Sequence, residues 1–266
     1  MNCDSSNPKG NGIVDVWQEI LPIRFGLIDK SDRLKLDSVF QIFQEAAISH
    51  AENLGVGRDD MGVKNQGWII SRLTVLVHTR PQYLDTITVR SWPRGWEKLF
   101  ALRDYEIKNK DGTVMVSARS AWLIVDIEKR RPLRPQSVMD YLPQNKGLAA
   151  LPPEANAVVS LEERGNLQKI AERKARYSDL DSNGHVNNAR YIQWIEDTLD
   201  CGLLESAVKM RLDINYISEI LSGETIDIMS AQIEDTADHA FAYEGRRTVN
   251  SQTAFRAELR LWEQGN

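Results

Sequence analysis

The chain has 266 residues, of which 42% are hydrophobic and 27% charged, and a formal net charge of −5. This composition is that of a globular protein with a sizeable core, and the acidic balance argues against general nucleic-acid binding, which needs a basic field. No apolar run approaches the roughly 18 residues of a membrane span, and the polar start lacks a signal-peptide core, so we expect a disordered tail over residues 1–12 and a cytoplasmic protein.

The first predicted element is a helix that begins near Asp37. Ser38 and Gln41 have the spacing of a capping box, and Gly55 suits the C-terminal cap. Three apolar positions recur at helical spacing and share one face of this helix: Phe40, Phe43 and Ala47. The helix is therefore expected to bury one side.

Four predicted strands follow this helix. They are rich in Val, Ile, Thr and aromatic residues, and parts of them alternate with a period of two. Their ranges are Trp68–Arg80, Thr86–Trp92, Phe100–Lys108 and Thr113–Asp126. The Asp111-Gly112 pair between the last two strands is a strong hairpin signal.

The second half of the chain repeats this pattern. Strand positions recur 139 residues apart, as in Thr86 and Thr225 (225 − 86), and the helix recurs 151 residues apart, as in Phe40 and Tyr191 (191 − 40). A changed offset implies a length difference between helix and strands, which loops absorb easily. We therefore expect two α+β units, residues 13–140 and 167–266, each with a curved antiparallel sheet around a long helix. The Pro- and Gly-containing segment 141–166 is the predicted linker.

A polar stretch precedes the second helix, in RYSDLDSNGHVNNARYIQWIED (residues 176–197). Asp181, Asn183 and His185 occupy alternate positions, so in an extended or turning backbone their side chains can point the same way. Gly184 permits an unusual backbone angle, and Asn187 or Asn188 suits an N-cap. Because Asp and Asn are also common in turns for structural reasons, the spacing alone leaves a polar site and an ordinary turn both open.

The two copies differ at these positions. On the 151-residue offset, Asn183 falls opposite Asp32 and His185 opposite Leu34, so only the second copy carries an Asn and His pair. The first half is therefore expected to act as a scaffold and the second to carry the chemistry.

The polar stretch resembles the signature of the plant and bacterial acyl-acyl-carrier-protein (acyl-ACP) thioesterases. The matching elements are Arg176, Ser178–Asp181, Asn183, His185–Asn188, Tyr191, Trp194 and Glu196. RSWPRGW from Arg90 and EKRRPLRP from Glu128 are similar to further segments of the family, and the resemblance extends from about Ile13 onward. It implies a tandem double hotdog fold and hydrolysis of fatty acyl-ACP to free fatty acid and holo-ACP, which ends elongation of the chain.

The resemblance also implies the catalytic residues. They are Asp181, Asn183, His185 and a carboxylate 34 residues after the His, here Glu219 (185 + 34). Many plant members have Cys directly after that Glu, whereas this chain has Ile220. Since the two cysteines, Cys3 and Cys201, lie in no motif, a cysteine mechanism is disfavoured. Arg80 stands at the place equivalent to Glu219 in the first copy (219 − 139).

Thioester hydrolysis needs an activated water and a stabilised oxyanion. Glu219 and His185 are expected to hold and deprotonate the water, although direct attack by Glu219 stays open. Asn183 donates to the thioester oxygen or fixes the water, and Asp181 orients His185 or Asn183. The other histidines (His50, His78 and His239) show no ligand pattern, so neither a metal nor another cofactor is expected.

The expected partner is an acyl carrier protein, which is acidic. Basic residues that can attract it are Lys129, Arg130, Arg131 and Arg134, with Arg94 and Lys98, the alternative being a solvated loop. For the acyl chain, the helix face of Phe40, Phe43 and Ala47 and the strand from Trp68 are candidate pocket walls, with core packing as the alternative. A homodimer is possible, although two hotdog units in one chain can also suffice as a monomer.

Three other functions remain open from the sequence. An acyl-CoA thioesterase would ignore the carrier protein. A hotdog dehydratase would use His with Asp or Glu on a 3-hydroxyacyl thioester. A non-catalytic acyl-binding module is disfavoured, because Asp181, Asn183, His185 and Glu219 are all present.

Overall fold

The computed structural model describes residues 12–135, 138, 141–152, 158, 160–164, 168–234 and 237–263. The helices are α1 (Leu36–Asn53), α2 (Arg58–Val63), α3 (Leu161–Arg164), α4 (Asn188–Glu196) and α5 (Cys201–Ser206). The strands are β1 (Trp17–Pro22), β2 (Gln66–Val77), β3 (Thr86–Glu97), β4 (Phe100–Lys108), β5 (Val114–Asp126), β6 (Arg131–Pro132), β7 (Gln168–Lys174), β8 (Ala207–Tyr216), β9 (Thr225–Gln232), β10 (His239–Arg247) and β11 (Thr253–Glu263). Among these helices, none has the length and apolar character needed to cross a membrane.

The strands of the described residues form one antiparallel sheet of 11 strands. Its order is β1-β3-β4-β5-β2-β8-β11-β10-β9-β7, with β6 beside β5, so the second half repeats the first in reverse. The halves join where β2 pairs with β8, and there Thr74 lies opposite Asp213, its repeat equivalent 139 residues later. The Thr74 hydroxyl donates to the Asp213 carboxylate at 2.7 Å. This pair therefore marks the pseudo-two-fold axis.

The predicted repeat and the four predicted strands are confirmed. Thr86 and Thr225 begin β3 and β9, and the whole of β10 follows β4 at the same offset of 139 (239 − 100). Elements that the sequence analysis missed are β1, β6, β7, α2, α3 and α5. The second helix, α4, has 9 residues against 18 in α1, so only the first is long.

A β-bulge in β7 lengthens the repeat offset by one residue ahead of the second helix. Strand β7 follows β1 at 151 residues as far as Lys169, the equivalent of Gln18 (169 − 18). The pairing of β7 with β9 then shifts between Lys169 and Ala171, so Ile170 is an extra residue in that strand. From Ala171, the equivalent of Glu19 (171 − 19), the offset is 152.

The helices keep this offset of 152, because α1 begins at Leu36 and α4 at Asn188 (188 − 36). The predicted pairing of Phe40 with Tyr191 is therefore wrong by one residue. The physical reason is the bulge, which adds its residue upstream of the helix rather than between helix and strands.

The N-terminus of α1 is capped from the other half of the chain. The amide N–H groups of Leu36 and Asp37 donate to the two carboxylate oxygens of Glu196, at 2.9 and 3.0 Å. Ser38 lies inside the helix and donates to Asp37, so the predicted Ser38–Gln41 capping box is wrong. Glu196 satisfies the orphan amides that a local cap would otherwise take.

Both glycine predictions in the first half are confirmed. Gly55 follows α1 with φ +68°, where its N–H binds Glu52 O, and the next residue, Val56, binds Ala51 O, which is the Schellman arrangement. Gly112, with φ +85°, forms the predicted turn between β4 and β5.

One hydrophobic core runs through both halves. It contains Phe40 and Phe43 of α1 with Tyr191 and Trp194 of α4. Phe40 and Phe43 are almost fully buried there, at 2% and 1% exposure, and each contributes on the order of 2 kcal/mol by burial. A smaller cluster beneath α2 includes Leu54, Val56 and Met61. For Phe40 and Phe43, core packing is therefore the correct interpretation.

The predicted linker contacts both halves of the chain. Val158 N–H donates to Asn215 Oδ1 of β8 at 2.7 Å, whereas residues 141–152 are fixed to the first half. Leu151 O accepts from the Arg119 guanidinium at 2.7 Å, and the Ala150 N–H donates to Asp104 at 2.8 Å. Arg119 and Asp104 are buried and form an ion pair of 2.6 Å. Residues 153–157, 159 and 165–166 of the linker lie outside the described residues, as does the predicted tail apart from residue 12.

Candidate functional site

A tight turn before α4 carries three of the predicted site residues. Asp181 Oδ1 accepts the backbone N–H groups of Asn183 (2.8 Å) and His185 (3.2 Å). The Asp181 N–H donates in turn to His185 O at 2.8 Å. Gly184 adopts φ +79°, which favours glycine. Asp181 therefore orients the other two residues through their backbone, and its carboxylate fixes the shape of the turn.

The turn lies beside the segment that carries Glu219. Val186 N–H donates to Ile220 O at 2.9 Å, and His185 pairs with Leu221 as an isolated bridge. The imidazole Nε2 of His185 then lies 3.3 Å from Glu219 Oε2. Both side chains remain accessible, at 35% and 40% exposure. The structure therefore brings together the four residues that the sequence analysis singled out.

Arg247, the last residue of β10, holds the segment that carries Glu219. Its guanidinium donates to the backbone oxygen of Glu219, to Ser218 Oγ at 2.8 Å and to Glu224 Oε1 at 3.0 Å. The Arg247 side chain is only 10% exposed. The sequence analysis missed it, since a residue of a β-strand with no motif around it gives no signal.

The first half of the chain also reaches this site. Arg130 Nη1 lies 3.6 Å from Glu219 Oε1, and Arg58 of α2 donates to Ser182 Oγ at 2.9 Å. Arg130 was predicted as a docking charge, and at 82% exposure it is also the basic side chain that pairs with Glu219. The candidate site therefore lies at the junction of the two halves.

The other predicted docking residues fall into two groups. Lys129, Arg131, Arg134 and Lys98 are exposed. Arg94 is partly buried and lies 3.6 Å from Asp104, within the first half. Its charge is therefore directed into the protein.

Helix α4 begins directly after the turn that carries the site residues. Asn187 is the N-cap, as predicted, and its Oδ1 accepts the Ala189 N–H at 2.9 Å. Tyr191, one turn later, is buried and packs against Tyr216 and Phe255, with ring centroids 5.3 Å apart in each pair. Burial raises the pKa of Tyr191, with smaller contributions from the Asp181 and Glu219 charges, so the phenol stays protonated.

The first half contains the same turn with different side chains. Asp29 Oδ1 accepts from the backbone N–H groups of Ser31 (2.8 Å) and Arg33 (3.1 Å). On the offset of 152, Asn183 and His185 correspond to Ser31 and Arg33, so the predicted matches with Asp32 and Leu34 are wrong by one residue because of the bulge at Ile170.

Arg80 does occupy the place of Glu219 in the first half, as predicted. Its guanidinium pairs with Asp29 at 2.5 Å and donates to Leu204 O of α5 at 3.1 Å. Arg33 donates to the next carbonyl, Glu205 O, at 2.7 Å. In the first half, these two arginines therefore fill the turn and hold α5.

An apolar pocket lies in the first half, between α1 and strands β2 to β5. Its empty volume is about 620 Å³, part of it open to solvent. Ala47 and Trp68, both predicted as pocket walls, line it together with Val56 and Trp96. Val56 is two residues from Arg58, which contacts the turn at Ser182. The short segment from Val56 to Arg58 therefore connects the lining of the pocket to the site.

Neither a metal cluster nor a cysteine belongs to this site in the part of the chain that the structure describes. No group of three or more His, Cys, Asp or Glu side chains there is placed to hold a metal ion. Cys201 is a free, exposed residue of α5, and Ile220 is fully buried.

Comparison with known proteins identifies the family. The family model described as "Acyl-ACP thioesterase N-terminal domain" matches residues 14–141, and "Acyl-ACP thioesterase C-terminal domain" matches residues 162–261. The chain is 24% identical to the chloroplastic oleoyl-acyl carrier protein thioesterase 2 of Arabidopsis thaliana over 73% of its own length. It is 25% identical to the chloroplastic dodecanoyl-[acyl-carrier-protein] hydrolase of Umbellularia californica over 92% of its length and 68% of that relative's. The chain spans only 57% of the Arabidopsis relative.

Solved structures share the fold. An acyl-ACP thioesterase from Bacteroides thetaiotaomicron superposes with a TM-score of 0.79 at 24% identity, over 93% of this chain and 98% of that one. The 12:0-ACP thioesterase from Umbellularia californica gives 0.77 at 19% identity, over 94% and 98%. The predicted α+β double hotdog is thereby confirmed. From its match to both domain models, the chain belongs to the acyl-ACP thioesterase family.

Proposed function

We propose that this protein hydrolyses the thioester of a fatty acyl-carrier protein, releasing free fatty acid and holo-ACP. The observation that carries the proposal is the His185–Glu219 pair, whose facing atoms are 3.3 Å apart, in a chain that also holds an apolar pocket. Relatives that are named as oleoyl-, palmitoyl- and dodecanoyl-ACP hydrolases support the same substrate class.

In this proposal, the water that attacks the thioester binds to the exposed side of the Glu219–His185 pair. Both side chains are accessible, and either can accept the proton as the water attacks the carbonyl carbon. A positioned general base of this kind contributes roughly 10²–10⁴-fold to the rate. Arg247 holds the backbone of Glu219, and Arg130 lies 3.6 Å from its carboxylate.

Asn183 stabilises the oxyanion. Its side-chain amide is exposed, and its contact with Asp181 Oδ2 is long, at 3.5 Å, so the amide is available to donate to the thioester oxygen. A single donor of this kind is worth about 3 kcal/mol. Asp181 acts through the turn, since it holds the backbone of Asn183 and His185.

Direct attack by Glu219 is the alternative route and would form an anhydride. A single turnover in ¹⁸O-labelled water detects an anhydride that is hydrolysed at its glutamyl carbonyl. Label left in Glu219 supports this route, whereas label in the fatty acid alone shows that water attacks the acyl carbonyl, of the thioester or of an anhydride.

We also propose a division of labour between the two halves. Residues 13–140 form the scaffold and acyl pocket, residues 141–166 link the halves, and residues 167–266 carry the catalytic residues. A cytoplasmic location and a homodimer are further proposals, to be tested by cell fractionation and by light scattering.

The function is tested by thiol release from a chain-length ladder of acyl-ACPs, with matched acyl-CoAs. Wild type is compared with Asp181→Ala, His185→Ala and Glu219→Ala. Rapid release from the carrier substrates that is lost in the variants supports the proposal. Equal release from both series favours an acyl-CoA thioesterase. Enone formation without thiol release identifies a dehydratase, and tight binding without turnover identifies an acyl-binding module.

A further inference from the structure

A buried cation lies in the wall of the apolar pocket. Arg103 of β4 lines the pocket and is only 9% exposed. Its Nη1 donates to Ser91 Oγ at 2.9 Å and to His50 Nδ1 at 3.1 Å. Among the described residues, Arg103 forms no ion pair with a carboxylate, and the neighbouring Asp104 pairs with Arg119. The guanidinium thus sits among neutral groups.

His50 holds Arg103 without neutralising it. Its Nε2 donates to the backbone oxygen of Val14 at 2.9 Å, which leaves Nδ1 as an acceptor for Arg103. Burial and the Arg103 charge lower the pKa of His50 to about 4, so the ring is uncharged at neutral pH. A buried charge without a partner is costly, and the protein nevertheless fixes this one in a defined position.

A second donor of the same pocket lacks an acceptor. The indole N–H of Trp96 is buried and has no hydrogen-bond partner among the described residues. Trp68, which stacks on it at 6.4 Å, satisfies its own N–H at Val56 O (2.9 Å). Because buried polar groups are nearly always hydrogen-bonded, an orphan donor in the same pocket as a buried cation indicates a ligand that supplies an acceptor.

Arg103 lies at the end of the pocket that is remote from the site. In the sheet, Ala101 pairs with Trp122 of β5 and Arg103 pairs with Ser120. Arg103 is therefore two residues, about 7 Å, further than Ala101 from the turn after β5 that carries Arg130. A chain that enters near Val56 therefore meets Arg103 with its distal part.

We infer that the pocket takes an acyl chain that bears an acceptor oxygen on its distal part, a hydroxyl, an oxo group or a carboxylate, which receives hydrogen bonds from Arg103. Trp96 provides a second donor. The inference rests on the proposed function for the direction in which the chain enters. A plain alkyl chain that reaches Arg103 takes water from the cation and gives no acceptor in return, whereas an oxygen restores the lost hydrogen bond.

The test compares three acyl-ACPs of equal length: unsubstituted, ω-hydroxy and ω-carboxy. Wild type is expected to prefer at least one oxygenated chain in kcat/KM by about tenfold, and Arg103→Met, which keeps the size but not the charge, should reverse the preference. A preference for the carboxylate alone identifies an anionic ligand, and equal preference for both identifies a neutral acceptor. A wild-type preference for the unsubstituted chain overturns the inference, as does an equal loss on all three chains in Arg103→Met.

A binding measurement keeps this test separate from that of the proposed function. Non-hydrolysable acyl-pantetheine amides with the same three chains are titrated by calorimetry into wild type, Arg103→Met and Arg103→Lys. Tighter binding of the oxygenated chains that is lost in Arg103→Met and partly retained in Arg103→Lys supports the inference even if no thioester is hydrolysed. Equal affinity of wild type for all three amides refutes it, and thermal unfolding verifies that each variant is folded.

Discussion

Arg33 stands in the first half of the fold at the position that His185 occupies in the second. Each residue ends a turn in which its backbone N–H donates to an Asp carboxylate. Arg33 donates to Asp29 at 3.1 Å, and His185 donates to Asp181 at 3.2 Å. Arg33 donates to carbonyls of α5, whereas His185 faces Glu219. One backbone turn therefore serves packing in one half and, in our proposal, chemistry in the other.

This relationship supplies a matched pair of variants for the oxyanion donor. Asn183→Ala should lower kcat for acyl-ACP by about 10²-fold, because it removes one donor worth about 3 kcal/mol. Ser31→Ala changes the equivalent position of the first half and should leave kcat unchanged. Steady-state thiol release measures both. Equal effects of the two substitutions would contradict the role of Asn183.

The two Asp residues of these turns should differ in their effect on stability. Asp181→Ala removes two hydrogen bonds to backbone N–H groups and should lower the free energy of unfolding by about 1–2 kcal/mol. Asp29→Ala should cost about 3 kcal/mol or more, since it also leaves the buried Arg80 without its carboxylate. Urea unfolding measures the loss of unfolding free energy in both variants. A larger loss for Asp181→Ala than for Asp29→Ala would contradict this expectation.

Arg130 and Arg131 should have separable effects on kinetics. Arg130→Ala should lower kcat/KM about two- to fivefold for both acyl-ACP and a short thioester mimic, because Arg130 pairs with Glu219. Arg131 is exposed in β6 and has no such contact, so Arg131→Ala should raise KM for the carrier substrate alone. That increase should shrink at high salt. If Arg130→Ala spares the short mimic, its contact with Glu219 is unimportant for catalysis.

The duplication and the strands were accessible from the sequence because they depend on local patterns and on a fixed offset, whereas the set of candidate site residues, Glu219 above all, came from the resemblance to a family. The position of the helices was not accessible, since Ile170 forms a bulge that leaves no sequence signal yet moves the register of the turn and helix by one residue. The cap of α1 was missed for a different reason. Glu196 reaches its amides from 160 residues away, and spacing rules describe only neighbours along the chain.

A cysteine should play no part in the reaction. Cys201 is exposed in α5, and α5 is held by Arg33 and Arg80 of the other turn. Cys201→Ser should therefore retain full thiol-release activity, and treatment of wild type with a thiol-alkylating reagent should change the rate little. A loss of more than about tenfold in Cys201→Ser would reopen a thiolate mechanism.

The cap formed by Glu196 should make stability depend on pH. Burial, followed by the nearby Asp37 carboxylate, raises the pKa of Glu196 to about 7, although the two N–H bonds from α1 act in the opposite direction. In the unfolded chain, the same carboxyl group titrates near the ordinary glutamate pKa of 4.5. Between these values, the folded protein keeps a proton that the unfolded chain has released.

The free energy of unfolding contributed by Glu196 should therefore fall as the pH rises from about 4.5 to about 7, by about 3 kcal/mol, and stay constant above that. Glu196→Gln keeps an acceptor for α1 and does not titrate, so its unfolding free energy should lack this fall. Urea unfolding at pH 5 and pH 8 measures the free energy of unfolding of wild type and of Glu196→Gln. Relative to wild type, Glu196→Gln should be more stable at pH 8 than at pH 5. The same difference at both pH values would mean that Glu196 is ionised throughout, held so by the N-terminus of α1.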